Sequence, residues 1–335
     1  MEYARIAARH FKTNHHEHYI TADDLVVSIP KVAASYDQPF GNSSALPAYY
    51  CAQMARADGI GKMLGGDGGD ELFGGNTRYT KQKIFEWYGV LPGPLRTNLM
   101  EPIFGSRKFE RSSAFSKASS YVQQASIPMP DRLRLYNLIT RLGVEQVLTP
   151  DMLARIDLDE PLRQQREVWS QASSGDFVNR MLAYDWRYTL AENDLPKVCG
   201  TTNLAGVEVG FPLLDMRLVN FSMRLPPDYK VKGMKLRWFF KEALRGFLPQ
   251  ETITKKKQGF GLPFGVWATE HRGLRSLAEN SLYSFGSRGI VRPEFIQSLL
   301  TERLATHPGY YGEMVWVLMM LEQWLRSHAP DYRCE

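Results

Sequence analysis

Eleven consecutive residues, Gly65-Gly66-Asp67-Gly68-Gly69-Asp70-Glu71-Leu72-Phe73-Gly74-Gly75, hold six glycines and three carboxylates. Glycine tolerates positive φ and lets backbone N–H groups approach an anion, so Gly65, Gly66, Gly68 and Gly69 could cradle a phosphate at a helix N-terminus. Carboxylates beside a phosphate repel it unless a divalent cation lies between them. Asp67, Asp70 and Glu71 therefore point to Mg²⁺ shared with a polyphosphate. The competing reading is an acidic glycine-rich surface loop with no ligand. A second chemical candidate is Lys257, which ends Lys255-Lys256-Lys257 and precedes Gln258-Gly259-Phe260-Gly261. A lysine on a glycine hinge could close over a polyphosphate and meet charge developing at its α-phosphorus. On its own, a lysine triplet is ordinarily a solvated surface.

These side chains need elements to position them. Ile60 to Leu64 reads as a buried strand end, and Glu71-Leu72-Phe73 can begin a helix, which gives the order strand, glycine loop, helix. Upstream, Asp37 to Pro47 is loop-like, a helix is expected over Leu46 to Ala57, and Asp58-Gly59 should stop it. Ser43 and Ser44 could cap that helix. Helix, strand and glycine loop in succession argue for a parallel α/β sheet with its ligand at the carboxyl ends of the strands.

The chain opens with a helical stretch, Met1 to Lys12. His15, His16 and His18 surround Glu17 before a short expected strand at Tyr19-Ile20, where alternation allows His16 and His18 on one face without His15. With no fourth ligand nearby, a polar strand entry is the better reading than a metal site. Asp23 and Asp24 are expected to cap a helix from about Leu25. Beyond Tyr79 the pattern turns helical, over Asp131–Leu142, Leu162–Ala172 and Asp176–Leu190, with no convincing alternating strand between them. Trp169, Tyr184, Trp186 and Tyr188 are expected in the core of these helices. Trp316, Val317, Met320, Leu321, Trp324 and Leu325 form an apolar stripe at the C-terminal end.

The acidic glycine stretch resembles the Ser-Gly-Asp/Glu-Gly-x-Asp-Glu-Leu-Phe-x-Gly signature in the synthetase domain of glutamine-dependent asparagine synthetases. Similar matches follow the chain. Tyr36-Asp37-Gln38-Pro39-Phe40 and Ser43-Ser44-Ala45-Leu46-Pro47 lie upstream, and Arg78-Tyr79, Glu208 to Asp215 and Lys257-Gln258-Gly259-Phe260-Gly261-Leu262-Pro263 lie downstream. The resemblance implies an ATP-pyrophosphatase type α/β core of the adenine-nucleotide α-hydrolase kind over 1–335, with an α/β part at 1–80 and a mainly helical remainder at 81–335. It also implies adenylation of aspartate by ATP and attack of ammonia on the acyl-adenylate. In that scheme Asp67 acts near the amine, Asp70 and Glu71 face Mg²⁺, Lys257 stabilises charge, and Ser43 and Ser44 lie near nucleotide and acyl substrate.

The chain departs from the family at four positions. Cys199-Gly200 stands where Asp-Arg is usual, Gly210 replaces the arginine of Glu-x-Arg, and Gly65 replaces a serine. A glutaminase domain and a Ser-Gly-Gly-x-Asp-Ser pyrophosphate loop are missing too. The resemblance therefore implies a domain incomplete at its N-terminus, with a separate glutaminase or N-terminal fragment among its partners and a homodimer as a further expectation. The rival readings are a noncatalytic nucleotide- or partner-binding descendant, and a ligase with another acceptor, as in β-lactam synthetases and peptide cyclases.

At 335 residues and 44% hydrophobic residues the chain can bury a large core. A net charge of +5 spread along the sequence argues against nucleic acid, which needs a concentrated basic face. No stretch approaches the roughly 20 apolar residues of a membrane helix, so a cytoplasmic location is expected by default. Cys51, Cys199 and Cys334 are too widely spaced for a zinc site and odd in number, and read as free thiols.

Overall fold

The computed structural model describes residues 2–104, 113–172, 175–255 and 259–334. Among them the chain is mostly helical, with one two-stranded parallel sheet. No described helix is long and apolar enough to cross a membrane. The first helix, α1 (Glu2–Phe11), docks through Phe11 on the Phe247 ring. Residues 15–20 do not form the expected strand. They run as irregular chain because each histidine turns to a carboxylate: His15 to Glu17, His16 to Asp58 at 2.9 Å, and His18 to Asp24.

Helix α2 (Ala22–Ser35) starts ahead of the expected Leu25, and its cap is Thr21 rather than an aspartate. Thr21 Oγ1 accepts from Asp24 N while the Asp24 carboxylate accepts from Thr21 N, a reciprocal box that satisfies two backbone donors. Helix α3 (Ala45–Ala57) ends at Asp58 with Gly59 at φ +76°, as the Asp-Gly pair indicated. Ser44 occupies its N-cap without a capping bond from its side chain; Asn42 Oδ1 accepts from Ser44 N instead.

Strand β1 (Lys62–Leu64), the glycine loop and α4 (Gly69–Phe73) follow in the expected order, but the strand end is not buried as expected: Ile60 is 47% and Leu64 71% exposed, because β1 has a partner strand on one edge and no layer packed over those side chains among the described residues. β1 pairs in parallel with β2 (Glu208–Gly210), Lys62 opposite Glu208 and Leu64 opposite Gly210. β2 lies in the part of the chain expected to be mainly helical, and its three residues are too few to show alternation. The turns after β1 and β2 therefore emerge side by side, which is what the site needs.

A helix runs without a break through Phe177–Asp185, a π-helical stretch Trp186–Asp194, and Leu195–Ala205, the last packing on α3 and β2. Pro196 cannot donate the backbone bond an unbroken α-helix requires, and the wider π turns before it absorb the mismatch. Trp169 and Tyr184 are buried as expected and Tyr188 packs beside them, whereas Trp186, at the start of the π stretch, is 36% exposed. The helix expected over Asp131–Leu142 splits into a 3₁₀ turn, Asp131–Tyr136, and a short helix, Leu138–Leu142, because Asn137 caps the second.

The main core joins α2, the start of α3, and the helices Phe264–Glu270, Arg272–Gly286 and Pro308–His328 through Leu25, Ile29, Leu46, Leu282, Phe285 and Met319. Its tightest contact is backbone on backbone. A Cβ at Gly265 would lie 2.0 Å from the Pro308 carbonyl oxygen. Gly265→Ala must push two helices apart, and is expected to cost about 1–3 kcal/mol, read as a lowered urea midpoint with unchanged slope.

Candidate active site

Asp67 sits on the loop after β1, half-buried, with Oδ1 4.0 Å from the Lys197 ammonium. Lys197 also donates to Asp194 Oδ1 at 2.7 Å. Burial raises the Asp67 pKa above the usual carboxylate value; Lys197 opposes the shift and Asp194 adds to it. Asp70, on the first turn of α4, lies over Gly75, whose absent Cβ would otherwise strike its carboxylate, and pairs with Arg237 at 3.3 Å. Glu71 points inward and is 6% exposed.

Glu71 is pushed up to about 7, mainly by burial, with Asp70, Asp185 and Asp194 adding repulsion. That both helix aspartates reach Glu71 follows from the π-helical stretch. They stand nine residues apart, roughly two and a half turns of an α-helix, which would place them on opposite faces. The wider π turn brings both round to one side. Asp185 is fully buried and held by Arg78 at 2.5 Å, with its Oδ2 buried and lacking a hydrogen-bond partner among the described residues.

The glycines serve two purposes. A Cβ at Gly65 would meet the Phe211 ring at 2.8 Å, one at Gly68 would meet Leu214 at 2.2 Å, and one at Gly69 would meet Leu213 at 2.8 Å. These three are small because the turn after β2 lies against them, and the serine usual at position 65 would collide with Phe211. Gly66 has nothing within 4 Å of its absent Cβ and leaves the loop open to a ligand. Gly200 is also explained by a neighbour: its Cβ would lie 2.4 Å from the Tyr36 ring, so an arginine side chain has no room there. Gly210 meets only ordinary contacts, and nothing in the packing demands glycine.

Ser43 lies on the wall of a cleft of about 860 Å³, and Ser44 stands behind it at the start of α3. Lys257 lies outside the described residues, as do Lys256 and Gln258. The three cysteines are free, as expected, and Cys199 is exposed; burial first and the nearby Asp67 second raise its thiol pKa. The residues not singled out beforehand as site members are Lys197, Asp194, Asp185, Arg78 and Arg237. Arg78 stood in the quoted Arg78-Tyr79 match, whereas Arg237, at φ +52°, carries no sequence signal.

Among the described residues no group of three His, Cys, Asp or Glu side chains is arranged to hold a metal alone. The donor set still fits Mg²⁺, which takes one or two hard carboxylates and completes its shell with phosphate oxygens and water. The surplus negative charge behind Glu71 points the same way. Glu71 provides a direct test of that surplus. Its folded pKa lies above its ordinary value of 4.5, so the fold holds the proton more tightly than the unfolded chain. Its contribution is fully favourable below about pH 4.5 and is lost as pH rises to about 7. In EDTA at pH 8, Glu71→Gln is therefore expected to raise unfolding stability by about 3 kcal/mol and at pH 4 to change little, measured by urea midpoints.

A family model described as asparagine synthase matches residues 1–326. The chain is 20% identical over 305 residues to asparagine synthetase [glutamine-hydrolyzing] 1 of Bacillus subtilis, covering 91% of this chain and 46% of that protein. It is 24% identical over 266 residues to a putative asparagine synthetase of Mycobacterium bovis, 78% of this chain and 38% of the relative. A third relative, from Methanocaldococcus jannaschii, is 38% identical over 94 residues, 28% of this chain and 18% of the relative. The chain thus spans less than half the length of the curated relatives it matches. With the match running through both strands, the acidic loop and the helix that carries Lys197, the chain belongs to the asparagine synthase family.

Proposed function

We propose that the protein is an ATP-dependent amide-forming ligase of the asparagine synthetase type, built on an ATP-pyrophosphatase core. The observation that supports it best is the group Asp67, Lys197 and Asp194 set at the carboxyl end of a parallel strand pair, where open α/β sheets place their ligands. A substrate carboxylate attacks the α-phosphorus of ATP and releases pyrophosphate; an amine then displaces AMP from the acyl-adenylate.

Each residue has a task in that sequence. Asp67, raised above the usual carboxylate range yet held by Lys197, takes the proton the amine loses. Gly66 offers its backbone to the phosphates. Asp70 and Glu71 would hold Mg²⁺, which supplies charge neutralisation at the polyphosphate. Lys257 meets charge at the α-phosphorus, and Ser43 and Ser44 border the substrate region. Aspartate is the first acyl substrate to test, with ammonia as amine and a glutaminase as its possible source in the cell.

The test is ATP–pyrophosphate exchange with Mg²⁺ and aspartate. Exchange that requires aspartate and disappears in Lys257→Ala supports the ligase. Nucleotide binding with no exchange for any carboxylic acid overturns it in favour of a noncatalytic binding protein. Exchange only with other acids keeps the chemistry and changes the substrate, a reading favoured by the Tyr36 ring standing where an arginine clamp would need room beyond Gly200.

A further inference from the structure

The 3₁₀ turn Asp131–Tyr136 and the helices Leu138–Leu142 and Val144–Val147 follow one another, none longer than six residues. Such short pieces present no long ridge to pack against a neighbouring helix. Between them, the helix Glu160–Gln171 and the π-helical stretch lies a cavity of about 480 Å³, a size that suits a small-molecule ligand. The charged side chains in its described lining are Arg78 and Arg134, with no carboxylate, lysine or histidine among them. Arg78 comes from the first turn of the helix Thr77–Val90, its backbone N–H donating to the Asn76 side chain. A guanidinium can donate from every nitrogen, yet only Nη2 makes hydrogen bonds among the described residues, to Asp185 Oδ1 and to Thr189 Oγ1 at 3.2 Å, and Nε is buried with none. Arg134 comes no closer than 4.0 Å to Asp159, a largely exposed carboxylate, so water screens the pair. Asp157 and Glu160 turn to Arg163 instead. Much of the remaining wall is apolar, with Leu148, Ile156 and Leu158 in it.

Unused guanidinium donors and a weakly held second arginine, set in a partly apolar cavity that no carboxylate lines, suit an anion with an apolar body. We propose that this cavity is a ligand site separate from the acidic loop, taking a monocarboxylate on an apolar chain or ring, with its carboxylate met by Arg78 and Arg134 and its body lying on Leu148, Ile156 and Leu158. A second carboxylate would be pressed against apolar side chains without a partner, which disfavours a dicarboxylate such as free aspartate. The site stands apart from the ligase reading. It nevertheless touches the surroundings of the candidate active site, because the Asp185 that Arg78 holds is one of the carboxylates repelling Glu71.

Calorimetry on the full chain with 3-phenylpropionate, against 3-phenylpropionamide of the same shape without the charge, tests the assignment. Phenylpropionate should bind about tenfold more tightly than the amide, and about tenfold more weakly to Arg134→Gln than to the unsubstituted protein. Leu158→Asp sets a carboxylate on the apolar wall and should weaken binding by about 100-fold. Leu158 is exposed, so its variant keeps the test valid even if Arg134→Gln fails to fold. Equal affinity for the acid and the amide overturns the proposal. So does acid binding that is unchanged in either folded variant, which would place the ligand elsewhere on the chain, and so does the absence of binding at about 10 mM phenylpropionate.

Discussion

Asp67→Asn is expected to slow amide formation by about 100- to 10,000-fold while leaving ATP–pyrophosphate exchange within a few-fold of the unsubstituted protein. The split arises because exchange reports adenylation, which needs no base at nitrogen, whereas amide formation needs somewhere for the amine proton to go. Two opposed forces act on Asp67, the proposed base. Burial works to keep it protonated, and Lys197 at 4.0 Å works to keep it ionised. Asparagine retains the shape and removes the base. On the acid side, the amide-forming rate of the unsubstituted protein should fall as Asp67 takes up its proton, at a pH above the ordinary carboxylate value, and this limb should vanish in Asp67→Asn. Equal loss of exchange and amide formation would instead assign Asp67 to holding the polyphosphate, a result single-turnover measurement of both steps would reveal.

Glu322→Ala is expected to destabilise the fold by about 3–5 kcal/mol. Glu322 is fully buried on the helix Pro308–His328. It accepts from Arg288 Nε at 2.5 Å, from Ser284 Oγ at 2.6 Å and from Arg326 Nε at 2.9 Å. Arg288, 3% exposed, also donates to the carbonyls of Ala329, Pro330 and Tyr332, and so fastens the C-terminal segment to the core. Without Glu322 the guanidinium stays buried and unpaired, which costs more than the pair contributes.

The pH dependence of that pair runs opposite to that of Glu71. Burial would raise the Glu322 pKa, but the donors outweigh it and hold it below its ordinary value of 4.5. Its stabilisation is present above about pH 4.5 and is lost as pH falls through the lower folded value. Urea midpoints from pH 3 to 6 should show this loss in the unsubstituted protein and not in Glu322→Ala.

The acidic turn of the candidate site was legible from residue types, because glycine and aspartate restrict what a short segment can do. The order strand, acidic glycine loop, helix holds over Lys62 to Phe73, and the Asp58-Gly59 stop lies where it was expected. The errors also have causes. Tyr19-Ile20 carries strand propensity, but with no neighbouring strand to pair with, the histidines beside it settle on carboxylates. Thr21 and Asp24 cap α2 together, a pattern that is reciprocal and so hidden when each acid is considered alone.

Local composition alone determined that a glycine-rich acidic turn follows a short strand, and that helices dominate the rest. Folding decided which residues share that turn's surroundings: the Phe211 to Leu214 turn that crowds Gly65, Gly68 and Gly69, and Lys197 beside Asp67. It also decided that Asp185 and Asp194 both reach Glu71. Propensity and capping act between residues a few positions apart and can be read along the chain. Charge and close packing act through space, and the partners that set them here are separated by more than a hundred positions until two three-residue strands bring them together.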